Sequence, residues 1–393
     1  MANPLYEAMP TTVFAVMSGL AREHGAINLG QGYPDESGPL AIRQKAADAT
    51  LNGDNQYPPT FGLPELRQAV AAHYARFQGL DLDWASEVTI TSGGTEALAA
   101  SFLGLIAPGD EVVLFQPLYD SYAPMVRRAG GVPRLVRLEP PHWRFDRAML
   151  EAAFTPRTRL VVLNNPLNPT ATVCPDEDLA LLAAFCVAHD AVAVCDEVWE
   201  HVVFDGRAHR PLIAYPGMRE RTVKIGSAGK MFALTGWKIG FLCAAPKLTA
   251  VLAKAHQFLT FTTAPNLQAA VAWGLENSAD WFAAMPGDLA RSRDRLTEAL
   301  RREGFGVLPS QGTYFLNIDL AASGVREDDR SFCLRSVTEA GVAAIPVSAF
   351  YEEAPVTSIA RLCFSKRDET LDEGARRLAK ARDLSLRAHN AGR

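Results

Sequence analysis

A lysine, an aspartate and an asparagine stand in this sequence where apolar strands are predicted to end. Lys230 follows Ser227 and Gly229 in the stretch "KIGSAGKMFALTGWKIGF", between two apolar runs. A lysine withdrawn from water has a depressed pKa and becomes nucleophilic. Asp196 closes the apolar run "AVAVCD", and Asn168 lies in "NNPLNP" after another run. The pattern predicts an amine, a carboxylate and an amide gathered in one site.

A glycine-rich turn supplies a fourth chemical element. The stretch "SGGTEAL" ends a predicted strand with Gly93 and Gly94 and opens a helix. The free N–H groups at a helix N-terminus bind phosphate. A reactive lysine, a carboxylate that keeps a pyridine nitrogen protonated and a phosphate cradle are together what pyridoxal 5'-phosphate requires.

Each of these features also has an ordinary explanation. Lys230 could extend from the edge of a core toward water, the two glycines could form a simple tight turn, and Asp196 could cap a helix. Their position at successive strand ends favours a shared site instead. A nicotinamide-binding protein is disfavoured, because "GQGYPD" lacks the third glycine and the strand-to-helix context of that fingerprint.

Short β-rich runs alternate with helical patterns through the middle of the chain. "EVTITSGG", "EVVLF", "TRLVVLNNP", "AVAVCDEV", "TVKIGSAG" and "IGFLCAA" are predicted strands. Strands that are apolar on both faces and alternate with helices predict an α/β fold with a mostly parallel central sheet. Ligands of such sheets bind beyond the carboxyl ends of the strands.

The pattern changes after about Pro286. The stretch "DLARSRDRLTEALRREG" predicts a helix, "FGVLPSQGTYFLNIDL" a hairpin and "VAAIPVSAF" a strand. We therefore expect a large cofactor domain over residues 46–285. Residues 1–45 and 286–393 are expected to build a smaller α+β domain.

Composition excludes several classes of protein. The 393 residues carry a formal net charge of −5, whereas a nucleic-acid-binding protein needs a basic surface. The longest apolar run, Leu179–Ala188, is too short to cross a membrane. No signal peptide is apparent. The six cysteines form no C-x-x-C pair, which indicates reduced thiols, no metal site and a cytoplasmic location.

The chain resembles the class I and II aminotransferases of fold type I, the aspartate aminotransferase superfamily, over nearly its whole length. "INLGQGYPD", "NQYPPTFGLPELR", "PPHWRF", "GTYF" and "GVAAIPVSAF" are similar to the branch that contains kynurenine, glutamine and methionine aminotransferases. "GSAGKMFALTGWKIG" is also similar to the succinyldiaminopimelate aminotransferases.

The resemblance implies roles around the cofactor. Lys230 would bind pyridoxal 5'-phosphate covalently and move the proton between substrate and cofactor. Asp196 would pair with the ring nitrogen, Asn168 with the 3′ oxygen, and Tyr119 would stack on the ring. The phosphate contacts would come from Gly93, Gly94, Thr95, Ser227, Lys238 and, from the neighbouring subunit, Tyr57. The Asn168–Pro169 peptide bond would be cis.

Two positions depart from the family pattern. Trp199 stands where the family usually has a tyrosine that contacts the 3′ oxygen, and an indole N–H can donate but cannot ionise. Lys238 replaces a phosphate-binding arginine, so that a point charge takes the place of a planar fork.

The resemblance also implies the substrate contacts and the reaction. Arg361 would clamp the substrate α-carboxylate, with help from Asn168 and the backbone of Gly32, and Phe14 would be an aromatic lid. The implied enzyme is a homodimeric transaminase with shared active sites that moves an amino group from an L-amino acid to a 2-oxo acid. Apolar and aromatic walls favour a neutral, bulky or aromatic donor.

Three alternatives stay open from the sequence. The donor could be aspartate or N-succinyldiaminopimelate. The enzyme could be a cysteine-conjugate β-lyase, which ejects a β-substituent from the same carbanionic state. The third alternative is a non-catalytic ligand-sensing domain of a transcription regulator.

Overall fold

A seven-stranded mixed sheet forms the centre of the computed structural model, which describes residues 2–391. In chain order, the strands of the molecule are β1 (Ile27–Asn28), β2 (Val88–Ser92), β3 (Glu111–Gln116), β4 (Val132–Arg137), β5 (Thr158–Asn164), β6 (Val192–Asp196), β7 (Thr222–Ser227), β8 (Ile239–Ala244), β9 (Gly306–Val307), β10 (Phe315–Asp319), β11 (Val342–Ala343), β12 (Ile345–Pro346) and β13 (Ile359–Cys363).

Helices cover both faces of this sheet and the second, smaller sheet. They are α1 (Pro4–Glu7), α2 (Val13–Glu23), α3 (Leu40–Asn52), α4 (Pro64–Gln78), α5 (Trp84–Glu87), α6 (Gly93–Leu105), α7 (Tyr122–Arg128), α8 (Arg147–Ala153), α9 (Asp176–Ala188), α10 (Ala228–Met231), α11 (Pro246–Leu259), α12 (Pro265–Asn277), α13 (Ala279–Arg302), α14 (Asp329–Arg335) and α15 (Asp368–Ala391).

The central sheet has the strand order β2-β8-β7-β6-β5-β3-β4. The strands from β7 to β4 run parallel, and β8 is antiparallel to both of its neighbours. Strands β3, β7 and β8 are buried along their whole length, as expected where helices cover both faces. The predicted α/β fold with a mostly parallel sheet is confirmed.

A second sheet, β12-β13-β10-β9, is antiparallel. It contains the predicted hairpin as β9 and β10. The predicted strand "VAAIPVSAF" is wrong in part, because only β11 and β12 form before a 3₁₀ turn over Val347–Phe350. Pro346 explains the interruption, since proline has no N–H to continue a ladder. The N-terminal segment joins this region, because β1 pairs in parallel with β11.

Helix α13 begins at Ala279 rather than after Pro286, so it starts earlier than the sequence pattern predicts. Trp281 and Phe282 occupy the first turn and pack into the hydrophobic core beside α12, and Trp281 also contacts the core around the second sheet. This burial favours extending the helix upstream of the proline. The expected division at 285/286 therefore falls inside a continuous helix, and the two-domain boundaries stay a prediction.

Within residues 2–391, no helix is long and apolar enough to cross a membrane. All six cysteines are free thiols, and five of them are buried.

A fully buried lysine anchors the turn that follows β6. Lys224 on β7 donates from Nζ to Glu197 Oε2 and to Glu200 Oε2, each at 2.6 Å. Burial acts to raise the pKa of Glu197, but Lys224 and His209 outweigh it and lower the value to about 2. Because Glu197 directly follows Asp196, this network fixes the backbone that carries the candidate site's carboxylate.

We predict that Lys224→Met destabilises the protein by about 3–5 kcal/mol, because it leaves two buried carboxylates without their cation. Urea unfolding at neutral pH measures the loss. The matched control is Lys254→Met on the exposed face of α11, which should change the free energy of unfolding by less than about 0.5 kcal/mol. Equal effects of the two substitutions would contradict the structural role of Lys224.

Candidate active site

A cavity of about 210 Å³ opens where β2, β5, β6 and β7 end. Its wall contains ten of the residues predicted from the sequence: Gly93, Gly94, Thr95, Tyr119, Asn168, Asp196, Trp199, Ser227, Lys230 and Lys238. Residues that are far apart in the chain meet here because the carboxyl ends of parallel strands lie at one edge of the sheet.

Lys230 lies in the short helix α10 directly after β7. Its Nζ donates to the hydroxyl of Tyr314 at 3.1 Å and lies 4.6 Å from the centre of the Trp199 ring. Loss of water around the amine lowers the pKa of Lys230 to about 8, although Cys363 and Asp196 act in the opposite direction. An appreciable fraction of this amine is therefore neutral near pH 7 and can act as a nucleophile or a base.

Asp196 is the last residue of β6 and is only 7% exposed. The hydroxyl of Tyr122 donates to its Oδ2 at 2.5 Å, whereas Oδ1 has no hydrogen-bond partner within residues 2–391. Burial raises the pKa of Asp196, whereas the Tyr122 hydrogen bond, the backbone N–H of Val198 and the charge of Lys230 lower it. A protonated pyridine nitrogen would supply both the missing donor and the missing positive charge, so the carboxylate fits pyridoxal phosphate.

The glycine-rich turn forms one end of the cavity. Gly93 begins α6 with φ of 71°, a conformation that favours glycine. A Cβ added there would lie 3.1 Å from Cε and Nζ of Lys238. Lys238 Nζ donates to Thr95 Oγ1 at 3.4 Å. A helix N-terminus beside a lysine and a hydroxyl is suited to a phosphate group.

Two asparagines connect the ends of β5 and β6. Asn164 donates from Nδ2 to the backbone oxygen of Asp196 at 2.8 Å, and its Oδ1 accepts from the backbone N–H of Asn168 at 2.8 Å. The Asn168–Pro169 peptide is cis, as the resemblance implies. Asn168 thus has a fixed backbone at the cavity wall.

Arg361 reaches the site from β13 of the second sheet and is only 1% exposed. Its guanidinium donates to Asn168 Oδ1 at 2.7 Å and to the Gly30 carbonyl at 2.9 Å, and it lies 3.9 Å from the Phe315 ring centre. Desolvation lowers the pKa of Arg361 to about 10, so it stays charged at neutral pH. Within the described chain no carboxylate forms an ion pair with Arg361. A buried, unpaired cation of this kind suits a substrate carboxylate.

The remaining predicted residues have different surroundings. Phe14 lies 5.3 Å from the Arg361 guanidinium, ring centre to Cζ. The carbonyl of Gly32 accepts a hydrogen bond from Tyr314 at 2.6 Å. Tyr57 is 83% exposed and does not line the cavity of its own chain as the structure describes it.

Three residues that form hydrogen bonds in the site were missed by the sequence reasoning. They are Tyr122, which binds Asp196; Asn164, which links two strands; and Tyr314, which binds Lys230. Tyr122 is the second tyrosine of "PLYDSY" and Asn164 the first asparagine of "NNPLNP", so both lie beside predicted residues. Tyr314 lies in "GTYF", far from any residue to which a role was assigned.

Comparison with known proteins gives consistent matches over nearly the full length. Over 380 residues, the chain is 46% identical to the probable N-succinyldiaminopimelate aminotransferase of Mycobacterium tuberculosis, covering 94% of this chain and 96% of that one. It is 41% identical to the methionine aminotransferase of Escherichia coli, covering 94% and 95%.

The solved structure of N-succinyldiaminopimelate aminotransferase from M. tuberculosis superimposes with a TM-score of 0.94 at 46% identity. The superposition covers 97% of this chain and all of that one. The family model for aminotransferase class I and II matches residues 24–378, a span that holds every cavity residue named above. The chain therefore belongs to the class I and II aminotransferases, enzymes that transfer an amino group to a 2-oxo acid.

Proposed function

We propose that this aminotransferase works with pyridoxal 5'-phosphate held in the strand-end cavity, and that its preferred donors are neutral, bulky or aromatic L-amino acids. One observation carries the cofactor proposal. The unpartnered Oδ1 of buried Asp196 lines the same cavity as the depressed-pKa amine of Lys230. An acceptor for a ring N–H and a nucleophilic amine in one cavity match that cofactor.

Different cavity residues would contact different parts of the cofactor. Lys230 would carry it covalently, Asp196 would hold the ring nitrogen protonated, and Asn168 would bind the 3′ oxygen. Tyr119 would stack on the ring, with Trp199 in the usual place of a tyrosine. The phosphate would be bound by Gly93, Gly94, Thr95, Ser227 and Lys238. When bound, the cofactor supplies an electron sink that stabilises negative charge at the substrate Cα.

The protein's own groups would then orient the substrate and move its proton. The guanidinium of Arg361, with the backbone of Gly32, would bind the α-carboxylate and fix the direction of the Cα–H bond. The Lys230 amine would accept the Cα proton when neutral and return it when charged. A pKa of about 8 lies near neutral pH, where a base is best matched to both transfers.

The surroundings of Arg361 support a neutral donor. Phe14, Phe315 and Phe350 place their ring centres 3.9–5.3 Å from its Cζ atom. Asp120 is half-buried, and no cation forms an ion pair with it in residues 2–391. Burial raises its pKa and Arg361 lowers it. Aromatic walls and a nearby carboxylate both disfavour a second carboxylate on the donor.

A donor with a distal carboxylate, such as N-succinyldiaminopimelate, is the second candidate. The similarity to the enzyme of that name from M. tuberculosis favours it. A groove of about 610 Å³ beside Phe350 favours it as well, because Arg330 lines it; Arg127 also lines the groove but is paired with Glu352 at 2.6 Å. Arg330 is exposed and donates to Ser348 Oγ at 3.3 Å, and no carboxylate pairs with it in the described chain.

A homodimer with shared active sites fits the exposed aromatic residues. Tyr57 is 83% and Phe258 is 86% exposed, and the Tyr57 ring lies 5.4 Å from that of Phe261. Exposed apolar patches of this kind mark protein interfaces. We infer that a second copy of the chain covers these aromatic residues. Tyr57 would then contact the cofactor phosphate that the second copy binds.

The covalent role of Lys230 predicts the site of chemical trapping. Borohydride reduction of the protein loaded with pyridoxal phosphate, followed by peptide mass analysis, should place the adduct on Lys230. Lys230→Ala should lose turnover completely, because it removes both the covalent link and the proton carrier. The control, Lys254→Ala on an exposed helix face, should keep turnover and the wild-type adduct. An adduct on another lysine would overturn the assignment.

The donor proposal predicts a ratio of specificity constants. With saturating 2-oxo acid, kcat/KM for at least one of methionine, glutamine, phenylalanine or kynurenine should exceed that for aspartate by about tenfold, or about 1.4 kcal/mol. N-succinyldiaminopimelate belongs in the same panel. If it is the best donor, and Arg330→Met selectively raises its KM, the second candidate replaces the first.

Shared active sites predict complementation between two defective variants. Lys230→Ala and Tyr57→Ala homodimers should both be impaired. Mixed dimers, formed after dissociation and reassociation, should regain activity, because one of their two sites then has both an intact Lys230 and an intact Tyr57 from the other chain. The activity of Tyr57→Ala is measured at limiting cofactor. If mixing restores no activity, Tyr57 does not serve the neighbouring site.

A further inference from the structure

Tyr314, which immediately precedes β10, connects two parts of the site through one hydroxyl group. This hydroxyl donates to the Gly32 carbonyl at 2.6 Å, and Lys230 Nζ donates to the same oxygen at 3.1 Å. A phenol has one proton, and a carbonyl can only accept. The phenol proton is therefore donated to the Gly32 carbonyl. Toward Lys230, the phenol oxygen acts only as an acceptor.

Packing holds this acceptor in place. Tyr314 is only 2% exposed. Its ring meets Trp199 edge to face at 4.3 Å between centres and meets Phe315 at 5.2 Å. Close-packed neighbours of this kind restrict ring motion. The oxygen that faces Lys230 thus has a defined position rather than one of several rotamers.

Lys230 lies in the wall between two cavities. One is the strand-end cavity, and the other, of about 120 Å³, is lined by Lys230 and Tyr314 together with Trp281, Asp288 and Lys366. A lysine has a flexible stem with rotatable donors. Without a fixed partner, the amine has room to turn toward the second cavity and its carboxylates, Asp35, Glu36 and Asp288.

The titration of the amine depends on several neighbours. Besides Tyr314, the titratable groups that act on it are Asp196, Cys363, Arg361 and Lys238, and the second cavity that it lines also contains Asp35, Glu36, Asp288 and Lys366. Burial raises the pKa of Tyr314 well above its usual value. The phenol therefore stays protonated wherever the Lys230 amine titrates, and it cannot itself take the substrate proton.

We propose that Tyr314 is a positioning residue for Lys230. The Tyr314 hydroxyl, oriented by Gly32, accepts one N–H bond of the amine and thereby fixes the direction of that bond. Besides the bond to Cε, the amine nitrogen has two further directions. These two directions are left for the second N–H bond and, in the neutral amine, for the lone pair that must face the strand-end cavity. Because Gly32 belongs to the proposed substrate contacts, the same hydroxyl couples the amine to the substrate-binding segment. This proposal rests on the proposed function.

The test compares Tyr314→Phe with the wild type in the cofactor-free protein. Lys230 is labelled with fluorodinitrobenzene across a pH series, and peptide mass analysis follows its modification. The wild-type profile should have its midpoint near pH 8, where the pKa of Lys230 lies. Loss of the acceptor removes a hydrogen bond from the charged amine, so the midpoint should fall by about one unit in Tyr314→Phe.

The matched control is Tyr351→Phe. Tyr351 also donates from its hydroxyl to a backbone carbonyl, that of Leu138 at 2.8 Å, and it lines neither of the two cavities. This control should leave the Lys230 profile unchanged. In the loaded enzyme, Tyr314→Phe should lower kcat by about tenfold or more and change the donor KM much less.

The proposal would be overturned if the pH profile of Lys230 labelling in Tyr314→Phe superimposes on that of the wild type. This holds even if the melting temperature of the variant falls. The labelling result is independent of turnover. If the wild-type enzyme transfers no amino group with pyridoxal phosphate, the proposed function fails, and the shift in the labelling midpoint still decides the role of Tyr314.

Discussion

A carboxylate buried with one oxygen unpaired is the constraint around which this site is arranged. Taking a charge out of water costs several kcal/mol unless hydrogen bonds and an opposite charge compensate. Asp196 has one strong hydrogen bond, from Tyr122, and none to Oδ1 in residues 2–391. The fold holds this costly group at the end of β6 through the adjacent Lys224 network and through Asn164. A protonated ring nitrogen of the proposed cofactor would supply the missing compensation.

Two cationic residues of the site, Lys230 and Arg361, are under-compensated in the same way. Lys230 and Arg361 both lose water, and both have lowered pKa values. Each has polar partners but no carboxylate in direct contact within the described chain. A cofactor with a protonated ring nitrogen and a substrate with an α-carboxylate would supply complementary charges. Binding free energy would then offset the cost of burying these charges.

Sequence reasoning identified the residues whose place in the fold follows from their position relative to the predicted strands. Asp196 ends β6, Lys230 and Asn168 follow the ends of β7 and β5 within four residues, and the parallel sheet brings these ends together. Tyr314 was missed because its contacts with Lys230 and Gly32 depend on how the second sheet packs against the first. No local pattern encodes that packing. The start of α13 was misplaced for a related reason, because tertiary burial of its first turn outweighs the helix-breaking tendency of a proline.

The protonation state of the cofactor's ring nitrogen tests the central claim most directly. Pyridoxal phosphate labelled with ¹⁵N in the ring would be bound to the protein, and its nitrogen chemical shift measured at neutral pH. The account predicts a protonated nitrogen in the wild type and an unprotonated one in Asp196→Asn, since a buried amide cannot balance the positive charge. An unprotonated nitrogen in the wild-type protein would contradict the assignment of Asp196 and, with it, the explanation for its burial.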